Sequence, residues 1–291
     1  MKTKNSSHMT HEQKLQVKNA LIRYTEHFDT QAQAAASLQD VSPTVVSQIK
    51  NDNWSLLSDR LWQHVARQVG FYCGEWHSAD TCTTLLLNIL FTDAQNYAMA
   101  YGVAINTGLG KTFTAKHYQR NREQVYYMPC SKEHNRRTFM TGLMQCAGIE
   151  TKGTMPEMMN TFIARMKSRD LPLLILDDAH LLKDRVLQLV VAITNTLAGA
   201  AGAVIVGNDE LRLRITSGIQ IGKPGYDKIY NTFGRRFITL GKPGPNDVEL
   251  ICKANGITDE LIITSMTEEC KGNLHHIAAL VDRHKSERIA A

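Results

Sequence analysis

The stretch Gly108-Leu109-Gly110-Lys111-Thr112 constrains this chain more than any other. An apolar run over residues 97–105 reads as a buried strand before it, and residues 113–119 read as a helix after it. A glycine-rich turn between strand and helix lets backbone N–H groups close around a polyphosphate. The helix N-terminus adds partial positive charge at the same point. In such a P-loop Lys111 reaches the β- and γ-phosphates, and the Thr112 hydroxyl ligates Mg²⁺. The expected nucleotide-binding segment is Asn106, Thr107, Gly108, Leu109, Gly110, Lys111, Thr112 and Phe113. One position departs from the full pattern G-x-x-x-x-G-K-[ST], because Ile105 stands where the first glycine belongs. On its own the loop could also be an ordinary glycine-rich turn.

A second motif favours the nucleotide reading. Leu173-Leu174-Ile175-Leu176-Asp177-Asp178 is an apolar run ending in paired carboxylates, about 65 residues beyond Lys111. Near-continuous apolar sequence is what a parallel strand buried on both faces requires. Its end delivers Asp177 to the Mg²⁺ shell and Asp178 to the attacking water. The simpler alternative is a strand followed by an acidic helix cap.

The 291 residues are 43% hydrophobic and 21% charged, a globular composition with room for one large or two modest domains. No apolar run approaches the roughly 20 residues of a membrane helix. Residues 1–10 are polar and lack an apolar signal core, so a cytoplasmic location without a membrane partner is expected. The six cysteines are scattered without a C-x-x-C pair, which points to reduced thiols rather than a zinc site or disulfide frame. A net charge of +5 permits nucleic-acid binding without establishing it.

Residues 11–68 read as an all-helical unit. Leu15, Val17, Leu21, Ile22 and Phe28 outline a first amphipathic helix. A short alanine-rich helix follows behind Thr30, then a tight turn at residues 39–41. Ser42 caps a third helix over 43–50, with Pro43 at its favoured first position. Leu56, Leu57, Leu61, Trp62, Val65 and Ala66 continue as a fourth. This resembles a repressor-like helix-turn-helix, with Ala35 or Ala36 at the helix contact and Val41 and Val45 in the core. On that analogy Ser42, Thr44, Ser47, Gln48 and Lys50 face DNA. The alternative is a helical hairpin used for packing alone. Residues 1–70 carry eight basic and six acidic side chains, so weak or assisted DNA binding is expected from this unit.

The remainder alternates strand and helix. Domains are expected at 1–70 (helix-turn-helix), 71–80 (linker), 81–242 (ATPase core) and 243–291 (helical lid). Asp80 or Thr81 caps a helix to about residue 93. Strands are expected at 124–128, 173–178, 203–206 and 237–240, with helices over 133–147, 155–167 and 184–197 and three helical segments in 246–284. The fold class is therefore α/β. It has the outline of a P-loop AAA+ three-layer sandwich with a parallel sheet, a small C-terminal helical lid and an N-terminal all-α domain.

Within that outline Asn208, at the end of the fourth strand, lies between the Asp-Asp strand and the P-loop strand, where it can orient water and sense the γ-phosphate, the alternative being an ordinary helix N-cap. Arg235 and Arg236 precede the fifth strand, and Arg212 and Arg214 are weaker alternatives. An arginine there can reach a neighbouring subunit's nucleotide, or belong to a solvated basic turn. Lys132, Arg136, Arg137 and Lys152 belong to a basic region that could track a DNA backbone or be a solvated face.

This layout resembles the Mu B-type transposition ATPases, including those of the TnsC and IstB kind. The resemblance rests on the helix-turn-helix, the 108–112 loop, Leu176-Asp177-Asp178-Ala179-His180-Leu181, Val206-Gly207-Asn208 and Gly272-Asn273-Leu274. It implies ATP and Mg²⁺ as cofactors, helical self-assembly on double-stranded DNA, target capture and activation of a DDE-type transposase. A helicase loader or other DNA-dependent ATPase is the alternative of similar build. Ile105, Asp178 (where Glu is usual) and His275 (where an arginine is usual) depart from the pattern and imply slow hydrolysis.

Overall fold

The computed structural model describes residues 9–26, 28–69, 76–235, 237–240 and 244–290. Its contacts divide the chain into two compact units. One is Met1–Gly74 with Met144–Lys152, and the other is Glu75–Leu143 with Gly153–Ala291.

The first unit holds helices α1 (His11–Glu26), α2 (Gln31–Ser37), α3 (Pro43–Lys50) and α4 (Asp59–Val69). Capping sets two of the starts. The Thr30 hydroxyl accepts from the Gln33 N–H at 3.2 Å, and the Ser42 hydroxyl accepts from the Val45 N–H at 3.3 Å. Val17, Leu21, Ala35, Val41, Val46, Ile49, Trp62 and Val65 form the core. Some expectations shift by one step of helical phase. Val46, paired with Ile49 at i,i+3, is fully buried, while Val45 packs only at its edge. Ala35 makes the close contact and Ala36 faces solvent. Leu15 and Leu56 are exposed, and α4 starts only at Asp59.

The second unit opens with α5 (Cys82–Tyr97), whose N-cap Thr81 accepts from the Thr84 N–H. Then follow β1 (Ala100–Ile105), α6 (Lys111–Asn121), β2 (Val125–Pro129), α7 (Arg136–Cys146), α8 (Met155–Lys167) and β3 (Leu173–Asp177). After a single 3-10 turn (Ala179–Leu181) come α9 (Asp184–Thr196), β4 (Gly202–Gly207), α10 (Asp209–Gln220), α11 (Tyr226–Thr232) and β5 (Phe237–Leu240). The strands form one parallel sheet in the order β2-β3-β4-β1-β5. Val103, Ile105, Val125, Tyr127, Leu173, Ile175, Val204 and Val206 face α5 and α6 across one core. Tyr126, Met128, Leu174, Leu176 and Ile205, on the alternate face, are buried as well. This is a three-layer α/β sandwich around one parallel sheet.

Two corrections concern the approach to the P-loop. Residues 97–99 are not strand: α5 runs to Tyr97, Ala98 closes it in a left-handed conformation (φ 50°), and β1 begins at Ala100. Helices α10 and α11 fill a stretch for which the sequence offered no element.

The chain ends in α12 (Pro245–Ala254), α13 (Glu260–Cys270) and α14 (Leu274–Ala290), a small bundle around Val248, Ile251, Cys252, Met266, Ile277 and Val281. The stretch read as a linker lies outside the described residues as far as residue 75. Beyond it, Trp76 and Ala79 pack on this bundle, and the His77 N–H donates to Asn255 Oδ1 at 3.1 Å. No helix among the described residues is long and apolar enough to cross a membrane.

Candidate nucleotide-binding site

Parallel pairing brings the C-terminal ends of β1, β3 and β4 side by side, with β4 between the other two. The residues following those strands therefore converge at one edge of the sheet, where open α/β sheets bind ligands. Asn106 and Thr107 are exposed, and Leu109 is buried as the loop's anchor. Gly108 and Gly110 both take φ of +81°. A Cβ at Gly108 would in addition collide with the Asn273 carboxamide, so this position excludes a side chain twice over. Helix α6 then starts at Lys111 with no side-chain cap, which leaves its first N–H groups for an anion. Phe113, next in the helix, is half-buried and stacks on His117.

Ile105 is fully buried in the core cluster below the loop. The missing first glycine is thus a position the strand has taken over for packing. The loop above it retains its two left-handed glycines.

Lys111 is 5% exposed and donates to the Asn106 carbonyl at 2.9 Å, folded back over the loop. Burial pulls its pKa down, against the opposing pull of Asp177 and Asp178. The Thr112 hydroxyl donates to Asp177 Oδ2 at 2.6 Å, so the two expected metal ligands already meet. Asp177 is 1% exposed. Its Oδ2 also accepts from the Tyr127 hydroxyl at 3.0 Å, and its Oδ1 from the Asp178 N–H at 2.9 Å. A hydroxyl and a carboxylate are hard oxygen donors beside an uncapped helix start, a donor set that suits Mg²⁺ with phosphate.

Asp178 adopts a left-handed conformation (φ 53°), which Asp and Asn tolerate better than Glu does. Burial, then Asp177, raises its pKa, partly countered by His180 and Lys111. His180 Nδ1 lies 3.9 Å from Asp178 Oδ1 and is otherwise buried without a hydrogen-bond partner.

Asn208 caps α10, its Oδ1 accepting from the Glu210 N–H at 3.1 Å, which leaves the amide nitrogen outside the cap. Arg235 is exposed and its Nε donates to Asn231 Oδ1 at 2.8 Å. Arg236 lies outside the described residues. Arg212 pairs with Asp209 at 2.9 Å, and Arg214 with Asp184 at 2.8 Å. Both weaker finger candidates are therefore tied to carboxylates of their own chain. In the C-terminal bundle the Leu274 N–H donates to the Gly108 carbonyl at 2.6 Å. His275 is exposed, its backbone N–H held by Asn273 Oδ1 at 3.0 Å.

Two groups escaped the sequence reading. One is Tyr127, whose partner Asp177 is 50 residues away. The other is a cluster on Asp184, which accepts from Arg214 at 2.8 Å, Lys223 at 2.7 Å and Tyr226 at 2.7 Å. Arg214 also donates to the His180 carbonyl at 3.2 Å, so this cluster braces the turn after Asp178. Burial alone would raise Asp184. Hydrogen bonds from Lys223 and Tyr226, with the charge of Arg214, outweigh it and hold the carboxyl at about 2 against an unfolded value of 3.8. The folded pKa is depressed, so the contribution is complete above about pH 4 and fades as pH falls toward about 2. With solvent screening of this half-exposed group, Asp184→Asn is expected to cost about 1 kcal/mol at pH 7. Thermal melts of wild type and variant should differ at neutral pH and converge below about pH 2; a gap independent of pH would contradict this.

The expected DNA-facing side chains differ in their surroundings. In the first unit Thr44 is exposed and Gln48 half-buried, Ser42 is used as a cap, and the Lys50 ammonium donates to the Thr25 hydroxyl at 3.4 Å. Lys14 and Lys18 pair with Asp59 and Asp52. Lys152 pairs with Glu150 at 2.5 Å. In the second unit Lys132, Arg136 and Arg137 are exposed, and Arg137 also donates to the Gly153 carbonyl.

Sheet order, left-handed glycine loop and the Thr112–Asp177 contact define a P-loop nucleotide-binding domain. Residues 103–215, from β1 into α10, match the AAA domain family and span the loop, Asp177, Asp178 and Asn208. This segment is thus similar to the AAA domain family, whose P-loop ATPase fold the sheet order and loop share. Comparison with curated proteins gave no match.

Proposed function

We propose that the protein hydrolyses ATP and uses ATP binding to assemble as a helical homo-oligomer on double-stranded DNA. In that state it captures target DNA and activates a DDE-type transposase. Lys111 and the N–H groups of the 108–112 loop hold the phosphates, and Thr112 and Asp177 hold Mg²⁺. The metal, when bound, neutralises phosphate charge. Asp178 accepts the proton of the attacking water, Asn208 orients that water through its uncommitted amide, and Arg235 or Arg236 reaches the nucleotide of a neighbouring copy.

Strand β2 carries the DNA part of this reading. Its end contacts Asp177 twice, through the Tyr127 hydroxyl and through the Cys130 N–H, which donates to the Asp177 carbonyl at 2.8 Å. Within the next seven residues lie the exposed Lys132, Arg136 and Arg137, with Glu133 among them. In this reading a basic segment that contacts phosphate follows the metal-binding carboxylate's partners on β2 after a short loop. In the first unit α2, the turn and α3 offer Thr44 and Gln48 as a second contact, weakened by the internal pairing of its lysines.

Phosphate contacts reveal themselves in salt dependence. The Arg136→Ala/Arg137→Ala double variant, with ATP present, should weaken duplex binding alike on unrelated sequences. It should also reduce the slope of log K against log salt by about 2. An unchanged slope would remove this segment from the DNA interface.

A further inference from the structure

Tyr127 sits on β2 with its ring in the core between sheet and helices, 8% exposed. Packing would be served equally by phenylalanine. The hydroxyl instead reaches Asp177 Oδ2 at 3.0 Å, the same oxygen that accepts from Thr112 at 2.6 Å. With the Asp178 N–H on Oδ1, the carboxylate is held by three donors from three segments of chain. We propose that Tyr127 is a positioning residue for Mg²⁺: its hydroxyl fixes the rotation of the Asp177 carboxylate so that, with Thr112, it meets the metal in a set geometry.

Physical reasons favour this over a purely structural bond. A buried carboxylate with a free rotation must be ordered when it takes a metal, and a preformed hydrogen bond removes that cost. Thr112 cannot supply the constraint alone, because its own oxygen is called to the metal. The Asp178 N–H comes from the adjacent residue and holds only the other oxygen. Lys116, half-buried on α6, places its ammonium over the Tyr127 ring, 5.6 Å from the ring centroid, a cation–π contact that helps to hold the ring. The ring is thereby held by packing and a cation–π contact, and its hydroxyl is directed by that frame.

The inference rests on the ATPase reading, and Tyr127→Phe isolates it. The variant keeps the ring, its packing and the Lys116 contact, and loses only the donor. Calorimetric titration of ATP across a Mg²⁺ series reads metal affinity without turnover. The expected result is ATP affinity in EDTA equal to wild type, with the Mg²⁺ concentration for half-maximal enhancement raised about tenfold. Tyr127→Leu, which also loses the ring, should add a drop in melting temperature. Equal Mg²⁺ dependence in wild type and Tyr127→Phe would overturn the proposal and leave Tyr127 a packing residue. A wild type that binds no ATP at any Mg²⁺ concentration would overturn the nucleotide reading, and this inference with it.

Discussion

Lys111→Ala is expected to abolish ATP binding at micromolar protein while leaving the apoprotein folded. Lys111 is almost fully buried and its ammonium donates to the Asn106 carbonyl. Burial opposes its charge, so the lysine is held in a state unfavourable to it and matched to an incoming polyphosphate. Truncating one partner of a desolvated, hydrogen-bonded charge pair costs about 2–5 kcal/mol, on the order of a 10²–10³-fold loss of affinity. Removing the side chain relieves a desolvation penalty in the apoprotein, so its melting temperature should change little. Calorimetric titration with ATP and a thermal melt check the two halves separately. Retained affinity would mean that the loop binds phosphate through its backbone alone.

The second large effect is expected from Asp178→Asn. Asparagine has the same shape and tolerates the left-handed backbone found there, so the 3-10 turn and the Arg214 brace on His180 should survive. What is lost is the carboxylate proposed to accept the proton of the attacking water. ATP affinity should stay within a few-fold of wild type, and turnover should fall about 10²–10⁴-fold. Steady-state phosphate release beside equilibrium ATP binding measures both. Wild-type turnover in the variant would take Asp178 out of the reaction. At φ 53° a glutamate, less at home in the left-handed region than aspartate, would be strained.

The sequence displayed those parts of the site whose chemistry is local. The loop glycines are legible because only glycine readily takes +81° twice within three residues. Strand β3 is legible because burial on both faces leaves a continuous apolar run ending at Asp177. The lateral position of Asn208 between the other two motifs follows from parallel strand order, and the sheet has that order. What stayed hidden depends on distance along the chain. Tyr127 and Asp177 are 50 residues apart, and Asp184 meets Arg214 and Tyr226 across 30 and 42. The α5–β1 boundary was misplaced because Ala98 takes a left-handed cap usually marked by glycine. The shift from Val45 to Val46 is a matter of helical phase, which the cap at Ser42 sets and eight residues of pattern do not.

The central claim is that nucleotide controls assembly on DNA. Negative-stain microscopy of the full chain on duplex DNA of arbitrary sequence, with ATP, with ADP and without nucleotide, tests it most directly. The account predicts helical filaments with ATP, few or none in the other two conditions, and none with Lys111→Ala. Duplex binding that ignores nucleotide, or that is confined to one DNA sequence, would contradict it.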